Sequence, residues 1–128
     1  MGLFDVFKGG GGSLKKHIAR VANKRAQQHE RWESIQVLAK DGSDEAIRAL
    51  LTRFTIRVDP SITDGEEKNL AFHGVVQHGE AALEPVREFL ESSETLAWPL
   101  KILKEIQSEE DVSTTLLELL SKMDTEYE

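Results

Sequence analysis

A helix-length stripe of apolar residues, a short break and a second helix-length stripe recur three times between Trp32 and Met123. Self-similarity with a period in the thirties marks a fold built by stacking helix pairs. One pair cannot bury both of its apolar faces, whereas a stack of pairs can, and three pairs are about the minimum for stability. The pattern therefore constrains the architecture more than any single residue does. It leaves the function open.

The first copy runs through Trp32, Ile35, Leu38 and Ala39 and stops at Asp41-Gly42, where a glycine C-cap is expected. Ser43 is placed to cap a second helix that carries Ala46, Ile47, Leu50, Leu51 and Phe54. So short a connection forces the two helices antiparallel. The stripe returns at Leu70, Ala71, Phe72, Val75 and Val76, stops at Gly79, and is followed by Ala82, Leu83, Val86, Phe89 and Leu90. The third copy reads Leu96, Leu100, Leu103 and Ile106, then Val112, Leu116, Leu119 and Leu120. Pro85 and Pro99 fall early in their helices, where a missing N–H is tolerated. In register, Ile35 corresponds to Phe72 and Leu100, and Leu38 to Val75 and Leu103, at intervals of 37 and 28 residues. The excess in the first interval is assigned to an insertion, Thr55 to Glu67, expected as an ordered loop with turns at Asp59-Pro60 and Asp64-Gly65.

The N-terminal part has a different character. Residues 1–12 read as a flexible arm: Leu3, Phe4 and Phe7 share a helical face, and Gly9 to Gly12 form a linker. Residues 13–27 read as a basic amphipathic helix, capped by Ser13, with Leu14, Ile18, Val21 and Ala22 on one side. The repeats then occupy 28–123 and an acidic tail 124–128. The net charge of −7 divides unevenly, since residues 1–31 carry +5 and the remainder −12. A basic arm on an acidic body either meets an anionic partner or folds back on its own body.

Three segments, RWESIQVLAKDGSDEAIRALLTRF, LAFHGVVQHGEAALEPVREFL and LAWPLKILKEIQSEEDVSTTLLELL, give the chain a resemblance to the HEAT-like helical repeats of the phycobilisome-lyase type over about residues 28–122. The resemblance implies an all-α fold, a right-handed α-solenoid of about three helix pairs, here with an amphipathic helix before them. Two departures stand out: the long insertion, and Gln107-Ser108 in the third turn where glycine is expected. The resemblance says little about activity, because such repeats host lyases, DNA-repair enzymes and scaffolds alike. It does imply that the second helix of each pair lines the concave side. The polar positions there are Arg48, Thr52, Glu84, Arg87, Glu88, Glu91, Thr115 and Glu118, mainly acidic towards the C-terminal end. No distinct capping helix follows Met123. Either the last leucines face only their own pair, or the natural protein continues and the open end self-associates.

Catalytic chemistry has few candidates. The chain has no cysteine, which excludes disulfides, thiol catalysis and Cys-ligated zinc and suits a reducing, cytoplasmic setting. His17, His29, His73 and His78 show no metal-ligand spacing and are expected as surface or turn histidines. The carboxylate runs Glu66-Glu67, Glu109-Glu110-Asp111 and Glu126 with Glu128 read as solvent-facing or helix-start residues. There is no G-x-S-x-G elbow, and the glycine run lacks the Lys-Ser/Thr ending of a phosphate loop. Trp32 and Trp98 are expected in the core or between repeats. No cofactor and no metal is implied.

No apolar run exceeds three residues, there is no signal-peptide stretch, and Val6 breaks the myristoylation pattern. The leading expectation is thus a non-enzymatic protein-interaction module that uses the solenoid surface to hold a protein partner, a basic one by charge. The alternative is a peripheral membrane adaptor that contacts a membrane surface or another anionic partner through Leu3, Phe4, Phe7, Lys15, Lys16, Arg20, Lys24 and Arg25. A HEAT-like lyase or DNA-binding enzyme is third. Nucleic acid is disfavoured by the acidic body and by the lack of aromatics among the basic residues.

Overall fold

The computed structural model describes residues 14–94, 96–107, 117, 118, 120 and 121. The fold is all-α, with no strand among the described residues. Among the described residues the helices follow in order: α1 (14–21), α2 (Gln28–Asp41), α3 (Asp44–Thr52), α4 (Ser61–Val76), α5 (Leu83–Ser92) and α6 (Ala97–Ile106), and residues 117, 118, 120 and 121 are helical as well. Short 3-10 turns at Arg53–Thr55 and Gly79–Ala82 precede α4 and α5.

Local chemistry sets the ends of α2 and α3. Gln27 N–H donates to Glu30 Oε1 at 3.0 Å, so the Glu30 side chain reaches back to close the first turn, as in one half of a capping box. At the other end Gly42 takes the left-handed conformation at φ 67°, and its N–H reaches Leu38 O at 3.2 Å. A single residue later Ser43 Oγ accepts the Ala46 N–H at 3.2 Å and starts α3, whose first turn carries Asp44 and Glu45 against the positive end of the helix dipole. The tight α2–α3 turn expected from Asp41-Gly42-Ser43 is therefore present in detail.

The helices form two rows. α4 packs between α2 and α6, α3 packs on α2, α4 and α5, and α5 also packs on α6. Between the rows lies one core that includes Ile35, Leu38, Leu50, Leu51, Val75, Val86, Ile102 and Leu103. Burying a side chain of this size stabilises by roughly 1.5–3 kcal/mol. α1 covers one end: Val21 is fully buried in the same core, Leu14, Ile18 and Ala22 pack beside it, and His17 Nδ1 lies 2.8 Å from Ser34 Oγ of α2.

The structure corrects several sequence expectations. α4 begins at Ser61, so the second half of the expected 55–67 loop is two turns of helix, and only Ile56 to Pro60 is irregular. The cause is visible in the burial pattern: Thr63, Asp64 and Glu67 carry the buried stripe of Ala71, Phe72 and Val75 back towards the start of the helix. Their polarity hides them from a search for apolar periodicity. α1 stops at residue 21, short of the expected end at 27. Asn23 N–H bonds Arg20 O and Ala26 N–H bonds Asn23 O in successive turns, and Arg31 draws the Asn23 and Ala26 carbonyls to its guanidinium. Leu96 precedes α6 and is 47% exposed, not part of the third stripe. Leu120 is likewise exposed, while Val112, Leu116, Leu119 and the Ser13 cap lie outside the described residues.

Candidate functional site

α3 and α5 lie side by side and present a mixed polar face. Arg48 and Thr52 occupy successive turns of α3, and Glu84, Arg87, Glu88 and Glu91 the outer face of α5, where all four are exposed. Arg48 joins the two helices: its Nε donates to Asp44 Oδ2 at 2.7 Å and its Nη1 to Glu88 Oε2. These two carboxylates hold the guanidinium more firmly protonated than usual. Its charge is matched locally, so the remaining charge of the face is acidic. Beneath the pair, Arg48, Leu51, Pro85, Glu88, Phe89 and Ser92 enclose a cleft of about 360 Å³. Leu51 and Pro85 form a buried floor, Phe89 is half-buried, and Glu88, paired with Arg48, is the one carboxylate of the lining. Thr52 Oγ1 donates to Ala49 O at 2.5 Å, an intrahelical bond that fixes the hydroxyl. Glu118 is exposed, and Thr115 lies outside the described residues.

The strongest polar feature was not legible in the sequence. Arg31, Glu67, Arg53, Asp64 and Lys68 form a chain of alternating charge inside the protein. Glu67 Oε1 accepts from Arg31 Nε at 2.8 Å and from Arg53 Nε at 3.0 Å, and Oε2 accepts from Arg31 Nη2 at 3.2 Å. Arg53 Nη2 donates to Asp64 Oδ1 at 2.8 Å and Nη1 to Ile56 O at 3.1 Å. Asp64 also accepts the Val58 N–H at 3.1 Å and pairs through Oδ2 with Lys68 Nζ at 2.8 Å. Burial opposes ionisation of Asp64, but the hydrogen bonds from Lys68, Arg53 and Val58 outweigh it and bring the carboxyl down to about 2. Glu67 was expected on the surface beside Glu66 and is instead fully buried, whereas Glu66 is exposed. Arg31 was counted with the basic arm and is also buried. The available signal was positional: Arg53 lies one residue before Phe54 at the end of an apolar stripe, and Glu67 lies four before Ala71. Every inward-facing polar group named here has a partner, so the chain of charge is a fastener and not a site for a ligand.

The basic residues divide by role. Lys15, Lys16, Lys24 and Arg25 are exposed, and Arg20 lies 3.7 Å from Glu30 of α2. Glu30 is held below its usual pKa chiefly by its bond from the Gln27 N–H. Leu3, Phe4 and Phe7 lie outside the described residues. Among the histidines, His29 and His73 are exposed as expected, but His17 is buried, and burial lowers its pKa, helped by Arg20 and Lys16 and opposed by Glu33. His78 Nε2 donates to Ala39 O at 2.6 Å, and the Gln77 side-chain amide reaches the same carbonyl at 2.7 Å. Trp98 packs as expected, stacked on Phe54 at 5.1 Å and tilted against Phe72 at 6.1 Å, with Lys101 Nζ 4.8 Å from its ring centre. Trp32 is half-buried.

Among the described residues no cluster of His, Asp or Glu could hold a metal ion, and no helix is long and apolar enough to cross a membrane. No protein-family model, curated protein or solved structure matches this chain.

Proposed function

We propose that the chain is a small cytoplasmic α-solenoid of HEAT-like helix pairs that works by binding a protein segment on its α3–α5 face, without covalent chemistry. Two observations support the repeat reading. Leu38, Val75 and Leu103, which correspond in register, are all fully buried. Gly42 and Gly79, the two glycines at positive φ among the described residues, stand 37 residues apart, the same interval that separates Ile35 from Phe72. The observation that carries the functional reading is the α3–α5 cleft, with its apolar floor and with Glu84, Glu88 and Glu91 exposed along the α5 helix that borders it. Such a surface suits a basic amphipathic segment: apolar side chains fill the cleft while lysines or arginines meet Glu84, Glu88 and Glu91.

The membrane reading has less behind it. The apolar side of α1 already packs against the core through Val21, Leu14 and Ile18, so it is not free to enter a lipid surface while α1 stays docked. Lys15, Lys16, Lys24 and Arg25 leave an electrostatic contact open.

Fluorescence anisotropy with a labelled basic amphipathic peptide of lysine and leucine tests the proposal. Glu84→Lys, Glu88→Lys and Glu91→Lys together are expected to weaken binding at least ~30-fold, about 2 kcal/mol. A charge-matched control, Asp41→Lys with Asp59→Lys and Glu105→Lys, is expected to bind within a fewfold of the unaltered chain. Equal loss in both variants, or none in the first, contradicts the assignment.

A further inference from the structure

A second cleft lies on the other row of helices and shares no residue with the α3–α5 cleft. Trp32, Glu33 and Gln36 of α2, Glu66 of α4 and the residues Gln27 to His29 enclose about 660 Å³, within the range of small-molecule sites. Trp32 is half-buried and lines the cleft. Glu33 and Glu66 are exposed, and neither forms an ion pair among the described residues.

The two carboxylates of this cleft outnumber its single titratable base, His29. No lysine or arginine lines it. One basic residue on each of α1, α2 and α4 is paired: Arg20 with Glu30, Arg31 with Glu67, and Lys68 with Asp64. The α2 N-terminus on its own would favour an anion, but Glu30 already accepts the Gln27 N–H there. Gln27, Gln28 and Gln36 add neutral amides that can orient a ligand without opposing its charge. Tryptophan is the aromatic face that attracts cations most strongly, and two exposed carboxylates add a negative field.

We propose that this cleft binds an organic cation, a quaternary ammonium or guanidinium group, with Trp32 as the aromatic face and Glu33 and Glu66 as counter-charges. The site does not depend on the peptide-binding reading above.

The test is an NMR titration of the ¹⁵N-labelled full chain, following the indole N–H signals of Trp32 and Trp98. Three probes are used: choline, N-acetyl-arginine amide, and 3,3-dimethylbutan-1-ol, the neutral isostere of choline. At least one cation is expected to shift the Trp32 signal saturably and leave Trp98 in place, while the neutral alcohol has no such effect. Tighter binding of choline identifies a free ammonium ligand, and tighter binding of the arginine probe identifies a peptide side chain. Glu33→Gln with Glu66→Gln, both at exposed positions, is expected to weaken binding roughly tenfold. Three outcomes overturn the site: neither cation saturates, the neutral alcohol binds as well as choline, or the double variant binds unchanged.

Discussion

Arg53 and Glu67 face each other in the interior, Nε donating to Oε1 at 3.0 Å, with both side chains closed to solvent. The same Glu67 oxygen also takes the Arg31 Nε–H, so one carboxylate ties α2 and the turn after α3 to α4. Removing a single partner from such an assembly leaves uncompensated charge in a poorly polarisable interior.

Glu67→Gln should therefore destabilise the protein by ~3 kcal/mol, whereas Glu66→Gln, one residue away and exposed, should stay within about 0.5 kcal/mol. Urea unfolding followed by far-UV circular dichroism measures both. Equal midpoints would mean that the buried pairing contributes no more than a surface charge.

Asp64 gives the acid limb of stability a defined place. Its folded pKa, about 2, lies below the ordinary 3.8 of the unfolded chain. The stabilisation is complete above 3.8 and is lost as pH falls from there through about 2. Its size is ~2 kcal/mol. Asp64→Asn should lower stability near neutrality and flatten the pH dependence across that window. An acid limb of unchanged steepness in the variant would remove Asp64 as its source.

His17 acts at a higher pH with the same sign. Burial first, then Arg20 and Lys16, lower its pKa below the ordinary 6.5, so the unfolded chain takes up the proton before the folded one does. Stability from this group is complete above 6.5 and declines as pH drops beneath it. Urea midpoints at about pH 7 and about pH 5 should differ more for the unaltered chain than for His17→Gln. Identical differences would show that His17 is not the titrating group.

Two glycines inside α4 should respond in opposite directions. A Cβ on Gly74 would lie 2.8 Å from Ala39 Cβ and 3.3 Å from Leu50 Cδ1, so Gly74→Ala forces α2 and α4 apart at a cost of ~1–3 kcal/mol. A Cβ on Gly65 meets nothing within 4 Å, and Gly65→Ala should stabilise by up to ~1 kcal/mol through helix propensity. Thermal unfolding of the two variants should move to either side of the parent, and a shift in the same direction would contradict the packing described.

What the sequence could and could not convey follows from these same residues. The Leu38, Val75 and Leu103 positions were legible because apolar side chains at helical spacing have few alternatives to burial. The Gly42 and Ser43 caps were legible because their chemistry is local. The start of α4 was not, since Asp64 and Glu67 face inward only because Arg53 and Arg31, 14 and 36 residues from Glu67, supply their counter-charges. The end of α1 was hidden similarly, by the hold of Arg31 on the Asn23 and Ala26 carbonyls. On the candidate face, the exposure of Glu84, Arg87, Glu88 and Glu91 follows from periodicity, but the Arg48–Glu88 link across the two helices is a tertiary contact that no spacing encodes.

The most direct measurement of the central claim is an NMR titration of the ¹⁵N-labelled chain with the basic amphipathic peptide. The account predicts saturable amide shifts centred on Arg48, Thr52, Glu84, Arg87, Glu88 and Glu91, around the cleft between α3 and α5. Binding that leaves those amides unmoved would contradict it.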